Sequence, residues 1–371
     1  MNIKPKSRRL HNRICRKVFL LLPVLFTLLP MTANGQTGKK NPADDNSLFY
    51  DSHFHLTNFI QEGRTAKDFL KIMGTKVGRS TLFGIPLQQQ WSARISGDDA
   101  PKYYLDTDAH LYYYSFTDAY IAMQYKSLTK EEQARFDPMI TGFNPTDMYA
   151  ADHIRRVLLT FPGVFTGIGE FSIHKEFVAS KIAGDIASLT DPALDRILDF
   201  AGEAGLAVIL HNDIDKPFPK PGTKGYLAEI KDLFRRHQKT SIIWAHIGMG
   251  RIVHPMENQA ALVEEMLEDS SMNHVCFDIS WDEVAKYLMS SDKTVQRTAA
   301  VIAGHPDRFV FGTDIVAPRD EDHYMSVYKM YEPLWKALSP ETSAKVRMGN
   351  YKRLFDAART KVRAWEKANV K

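Results

Sequence analysis

Between residues 49 and 316 the sequence repeats one arrangement: a short, almost unbroken apolar run followed by a longer segment carrying helix signals. Eight such runs read as strands: Phe49–Leu56, Ser80–Leu87, Pro138–Asn144, Val164–Ile173, Leu206–Asn212, Ser241–Ile247, His274–Ser280 and Phe309–Val316. Near-continuous apolar strands, without polar alternation, are those covered on both faces. Between them, Thr190-Asp191-Pro192 caps a helix that runs to Ala204 and stops at Gly205. Helical patterns also cover Thr146–Phe161, Lys224–His237, Asn258–Asp269 and Asp320–Leu338, and an amphipathic helix fills the tail Asn350–Val370. Eight strands with helical crossovers predict a (β/α)8 TIM barrel. An open doubly wound sheet shares the alternation and is the competing architecture.

One connection breaks the spacing. After the second strand, residues 88–135 form an insertion rich in aromatic side chains, among them Trp91, Tyr103, Tyr104, Tyr112, Tyr113, Tyr114, Phe116, Tyr120 and Tyr125. A connection of that length has its own structure or covers a site, so it reads equally as a lid or stacking platform and as a satellite core or subunit interface. No repeat or linker divides the remainder, and residues 36–371 are expected to form a single domain.

The basic residues are unevenly spread. Residues 1–17 hold seven of the 48 lysines and arginines and no acid, followed by the apolar run Val18–Pro30 and the small-residue stretch Thr32-Ala33-Asn34-Gly35. That order is the n-region, h-region and cleavage site of a secretory signal, assigned to residues 1–35. The apolar run, interrupted by Pro23, is too short to span roughly 30 Å of hydrocarbon as a stable anchor. Without the segment, 41 bases face 44 acids, and the basic footprint of a nucleic-acid binder is gone. Only Cys276 then remains, which excludes an intramolecular disulfide, and no Cys follows the apolar run as a lipid anchor. The mature chain is therefore expected in the periplasm or outside the cell.

Titratable residues interrupt the apolar runs at their C-terminal ends, where a barrel builds its active site. The first run contains His53-Phe54-His55, and residues i and i+2 of a strand share a face. The fourth, fifth, sixth and eighth runs contribute Glu170, His211, His246 and Asp314. A single such residue is an ordinary buried polar group; six at strand ends point to a divalent metal site. Histidine with carboxylate suits zinc first, and also manganese, iron or nickel.

These segments resemble the metal-dependent amidohydrolase superfamily, near its TatD-type and amidohydrolase-2-like branches. The likeness rests on Asp51-Ser52-His53-Phe54-His55-Leu56, Gly167-Ile168-Gly169-Glu170, Leu210-His211, Ala245-His246-Ile247-Gly248, Gly312-Thr313-Asp314 and Gly349-Asn350-Tyr351-Lys352-Arg353-Leu354-Phe355. The resemblance implies a barrel with a one- or two-metal hydrolytic site. By position, His53 and His55 bind a deeper ion, His211 and His246 an outer one, and Glu170 bridges them. Asp314 ligates the deeper ion and serves as the catalytic proton shuttle. After Glu170, TatD-type nucleases typically continue Ile-Gly-Leu-Asp; here the sequence reads Phe171-Ser172-Ile173-His174, which, with the acidic mature charge, argues against a nuclease.

Beyond the strand ends, His174, Lys175, Arg251, Trp281 and Arg319 are candidate substrate contacts, and Asp278 is a candidate to orient a ligand histidine. The expectation is an exported hydrolase that cleaves an ester, lactone, amide or phosphoester bond in a small molecule. The alternatives are a single-metal decarboxylase or hydratase and a catalytically silent binding protein on the same barrel. Homo-oligomerisation is left open.

Overall fold

A computed structural model describes residues 47–58, 63–85, 87–89, 93, 97–99, 111–113, 116–176, 181–182 and 185–370. The expected signal segment and much of the aromatic insertion lie outside the described residues.

Eight strands form one parallel sheet: β1 (Phe49–Asp51), β2 (Val77–Leu82), β3 (Phe136–Ile140), β4 (Gly167–Ser172), β5 (Ala207–His211), β6 (Ser241–Trp244), β7 (Val275–Asp278) and β8 (Phe309–Val310). Their spatial order follows the chain. The ring closes because Ser52 N–H donates to the Phe311 carbonyl at 3.1 Å and Phe54–His55 pairs in parallel with Ile315–Val316. The architecture is the (β/α)8 barrel.

Strand period decides which side chains meet inside. On β5, Ala207 and Ile209 face the barrel interior with Tyr50, Met139, Ile243, Cys276 and Val310, while Val208 and Leu210 pack outward against the helices. The C-terminal helix Asn350–Asn369 adds Tyr351, Leu354, Phe355 and Ala358 to the interior cluster, so it closes the floor of the barrel. At that floor the buried Asp137 carboxylate accepts from Arg79 and Arg359 at 2.7 Å and from Tyr351 at 2.8 Å, a pairing that compensates its loss of water.

The strand expectations hold in order and direction but differ at their ends. The second run pairs earlier, from Val77, and the first and eighth each split in two. Apolar character continues past the ladder because the site walls are buried too: Phe143 and Asn144 lie beyond β3 and are shielded. Helices Ala66–Met73, Thr117–Lys126, Asp282–Leu288 and Asp292–Gly304 were not anticipated. Two carried local signals, for Thr65 accepts from the Asp68 amide and Ser291 from the Thr294 amide. The tract Asp320–Leu338 breaks into two helices, Glu321–Met330 and Glu332–Ala337, at Tyr331 before Pro333. Inside the insertion, Leu87–Gln89 pairs with Leu111–Tyr113 as an antiparallel hairpin.

Candidate metal centre

Strand alternation alone does not bring the polar residues to one point. On β4, Ile168 and Phe171 both pack outward, which requires an extra residue between them. The register supplies it: Val208 faces Ile168 whereas Leu210 faces Phe171, a bulge at Gly169-Glu170 that turns Glu170 inward. Gly169 adopts φ +109°, and a Cβ there would lie 2.2 Å from the Ile209 carbonyl oxygen, so only glycine fits. His246 follows inward-facing Ala245 and would point outward in a continued strand; its left-handed φ of 59° swings it back. Asp314 has φ 51° for the same result, and Gly312 lets that segment pass against His53, where a Cβ would sit 2.6 Å from the His53 backbone nitrogen. Positive φ at non-glycine residues thus gathers at the strand ends, where the surrounding packing holds it.

The six predicted ligand residues converge. His53 Nε2 lies 3.3 Å from Asp314 Oδ1 and 3.6 Å from Glu170 Oε2; His55 Nε2 lies 3.3 and 3.4 Å from the same two atoms. His246 Nε2 is 3.7 Å from Glu170 Oε1 and 3.6 Å from Asp314 Oδ2. His53 and His246 stack at 4.8 Å. The His53 and His246 Nε2 atoms are buried without a hydrogen-bond partner, a costly state unless something else engages them. Ligand atoms about 3.3–3.4 Å apart are what a tetrahedral ion with bonds near 2.0–2.1 Å requires. Donor type, spacing and the two unpartnered nitrogens all fit a divalent metal.

Outer contacts fix the imidazoles. His53 Nδ1 pairs with Asp278 Oδ2 at 2.8 Å, and His55 Nδ1 with the Gly84 carbonyl at 3.1 Å. Ser280 Oγ donates to Asp278 Oδ2 at 2.6 Å and stands 3.1 Å from His246 Nδ1. His211 differs from the others. Its Nδ1 bonds Glu170 Oε1 at 2.6 Å and its Nε2 bonds Asp213 Oδ1 at 3.0 Å, so both ring nitrogens are engaged. Asp213 and Ser280 escaped the sequence reading, although each lies two residues beyond a recognised polar residue on the same strand end.

The electrostatics are those of a cluster that holds protons where it would hold a cation. Burial opposes charging of His53 and His55, yet the Asp314 and Glu170 carboxylates raise both, His53 most, with Asp278 adding to it. Burial dominates at His246 and lowers it. Burial would raise Glu170, but the Lys175 charge, the His211 hydrogen bond and the nearby His246 and His53 imidazoles hold it well below the carboxylate range. Desolvation would likewise raise Asp314, but the His53 charge, the His55 bond and the charges of His246 and Lys175 hold it down.

The candidate substrate contacts divide. Lys175 is inside the cluster, buried, with Nζ 3.1 and 3.2 Å from the two Glu170 oxygens. Trp281 is buried with its ring 4.9 Å from His246, and the Arg251 guanidinium lies 5.8 Å from that ring while Arg251 Nε binds Glu283 at 3.0 Å. His174 instead stacks on Tyr226 at 3.8 Å and bonds Asn212. Arg319 is exposed and engages its neighbours through its backbone, with Arg64 on its carbonyl and His323 on its amide.

The profile of the amidohydrolase family Amidohydro_2 matches residues 50–357, which takes in all eight strands but for Phe49 and all six clustered residues. The chain belongs to the amidohydrolase family. As an amidohydrolase it is a metal-dependent hydrolase. No curated protein sequence matches it. Among solved structures, an amidohydrolase from Burkholderia multivorans with bound zinc superposes with a TM-score of 0.51 at 12% identity, over 83% of this chain and 99% of that one. An Acinetobacter baumannii protein described as a probable 2-pyrone-4,6-dicarboxylic acid hydrolase, with citric acid bound, gives 0.50 at 12% identity over 83% and 99%. Identities this low show likeness of fold alone.

Proposed function

We propose that this amidohydrolase is exported by its N-terminal segment and uses a divalent metal, zinc first, to hydrolyse an ester, lactone, amide or phosphoester bond in a small molecule. The observation that carries the reading is the pair of buried, unpartnered Nε2 atoms of His53 and His246, turned toward the carboxylates of Glu170 and Asp314. His53, His55, His246 and Asp314, with Glu170, would hold the ion. When bound, such an ion supplies Lewis acidity and lowers the pKa of water toward about 7.

The chain's own groups do the remaining work. Asp314 lies at the open side of the cluster, more exposed than the histidines beneath it. Its carboxylate stays ionised, so it can take the proton of the attacking water and pass it to the leaving group. Asp278 keeps the His53 proton on Nδ1 and leaves Nε2 facing the ion. Trp281 walls the site beside His246 and excludes water from that flank.

Elemental analysis of mature protein purified without chelator, followed by a panel of the four bond classes with wild type and Asp314→Asn, tests the reading. Bound metal with turnover, and turnover reduced roughly 10²–10⁴-fold in a folded, metal-loaded Asp314→Asn, is the expected result. A chain that takes up neither zinc nor manganese, or an Asp314→Asn enzyme with undiminished turnover, would refute it. Export is checked by expression with and without residues 1–35 and recovery of the shortened mature chain from the periplasm or medium; retention at full length in the cytoplasm would refute that part.

A further inference from the structure

We infer that Lys175 is the second cation of this site: its ammonium neutralises Glu170 where a bridged second metal ion would otherwise sit, so the centre holds a single divalent ion. The inference rests on the metal-dependent reading above and departs from a two-ion arrangement.

Two sets of distances separate one ion from two. Around the His53, His55, His246, Glu170 and Asp314 atoms the close pairs run from 3.3 to 3.7 Å, the spacing of ligands on a common ion. Behind Glu170 the spacing collapses. His211 Nδ1 and Glu170 Oε1 are 2.6 Å apart, a hydrogen bond and not two ligands of one ion, and the other His211 nitrogen is held by Asp213. Lys175 Nζ contacts both Glu170 oxygens, at 3.1 and 3.2 Å. An ammonium set against both oxygens takes up the flank of Glu170 that a second ion would approach, and its buried charge repels a further dication.

The lysine is built into place. Asp213 N–H donates to the carbonyl of His174, and Asp213 Oδ2 accepts from the amide of Glu176, so the residues on both sides of Lys175 are tied to one residue, Asp213. The Trp281 ring flanks the ammonium, 5.8 Å from Nζ. Lys175 is 5% exposed and Glu170 4%. Opposite charges buried this deeply persist only as partners.

The test counts ions. The mature chain, Lys175→Met and Lys175→Arg are incubated with excess zinc or manganese, desalted and analysed for metal; the manganese forms are also examined by electron paramagnetic resonance. The wild type and Lys175→Arg are expected to hold about one equivalent with the six-line spectrum of an isolated ion, and Lys175→Met about two with a dipole-coupled spectrum. Two equivalents in the wild type, or one in folded Lys175→Met, would overturn the inference while leaving the metal-dependent reading intact. Should methionine unfold the chain, Lys175→Gln removes the charge while keeping a polar head and gives the same comparison. No ion in the wild type would sink both.

Discussion

Asp278 pairs with His53 through Nδ1, the ring nitrogen remote from Glu170 and Asp314. Both residues are fully buried. Oδ2 of Asp278 accepts from His53 Nδ1 and from Ser280 Oγ, and Oδ1 accepts the Ser280 amide at 2.8 Å. A carboxylate only accepts, which forces the His53 proton onto Nδ1 and frees Nε2 as a ligand. Asparagine keeps the shape and cannot satisfy the same three donors. With its NH₂ toward His53, the imidazole must accept at Nδ1, so its proton moves to Nε2, the atom a metal needs. With its oxygen toward His53, the NH₂ meets the Ser280 amide, and a buried donor is lost. Either way the ion binds more weakly. Loss of such an outer contact costs about 10–100-fold in metal affinity, or about 1.4–2.7 kcal/mol. Zinc affinity is measured by competition with a chromophoric chelator at fixed pH, on Asp278→Asn shown by circular dichroism to be folded. Ser280→Ala, which removes one hydroxyl and leaves the His53 contact, is expected to weaken binding less. A folded Asp278→Asn with affinity within about twofold of wild type would refute this account of how His53 is oriented.

Other outcomes follow from the same geometry. Because the carboxylates raise His53 and His55, a metal must displace their protons; affinity is therefore expected to rise with pH and to go on rising above the ordinary histidine value of about 6.5, and a flat chelator-competition profile would contradict it. Gly169→Ala puts a Cβ 2.2 Å from the Ile209 carbonyl oxygen at a φ of +109°; a stability loss of about 2–4 kcal/mol in urea melts is expected, together with lost metal, and unchanged melts would show that the bulge is not required. Burial, opposed by bonds from Thr313, Tyr324 and the His53 amide, raises Asp51 from 3.8 to about 6. Its contribution to stability is full below the unfolded value and is lost as pH rises through about 6, a change of about 3 kcal/mol. Asp51→Asn should flatten that fall in chemical melts across the range, whereas parallel wild-type and variant profiles would count against it.

The barrel was legible because its signal is one-dimensional: apolar runs covered on both faces alternate with capped helices along the chain. His53 and His55 were legible for the same reason, since a two-residue spacing maps onto one face. Glu170 and His246 were identified by position at the ends of runs, but strict alternation would have aimed both outward. A bulge at Gly169-Glu170 and a left-handed turn at His246 redirect them, and backbone departures of that kind leave little trace in residue type beyond an occasional glycine. The helices Asp282–Leu288 and Asp292–Gly304 escaped notice because few apolar positions mark them: two buried residues in the first and four in the second.

Charge compensation is the property that sequence pattern transmits least. Lys175, five residues beyond Glu170, read as a group reaching outward for a substrate anion; folding turns it back, because the loop that carries it is tied on both sides to Asp213. The consequence bears on how the motif itself is interpreted. A histidine–carboxylate constellation lists the atoms able to meet a cation, but the number of cations depends on which positive charges the protein already supplies. Here one carboxylate is paired with a buried ammonium and a doubly bonded imidazole, and the other faces three histidine nitrogens. An ion that enters next to Asp314 gains those nitrogens at the cost of protons; one that enters behind Glu170 must first part Lys175 from both Glu170 oxygens. The two positions are therefore unequal, and the ion count expected from the Lys175 inference is one, at the first.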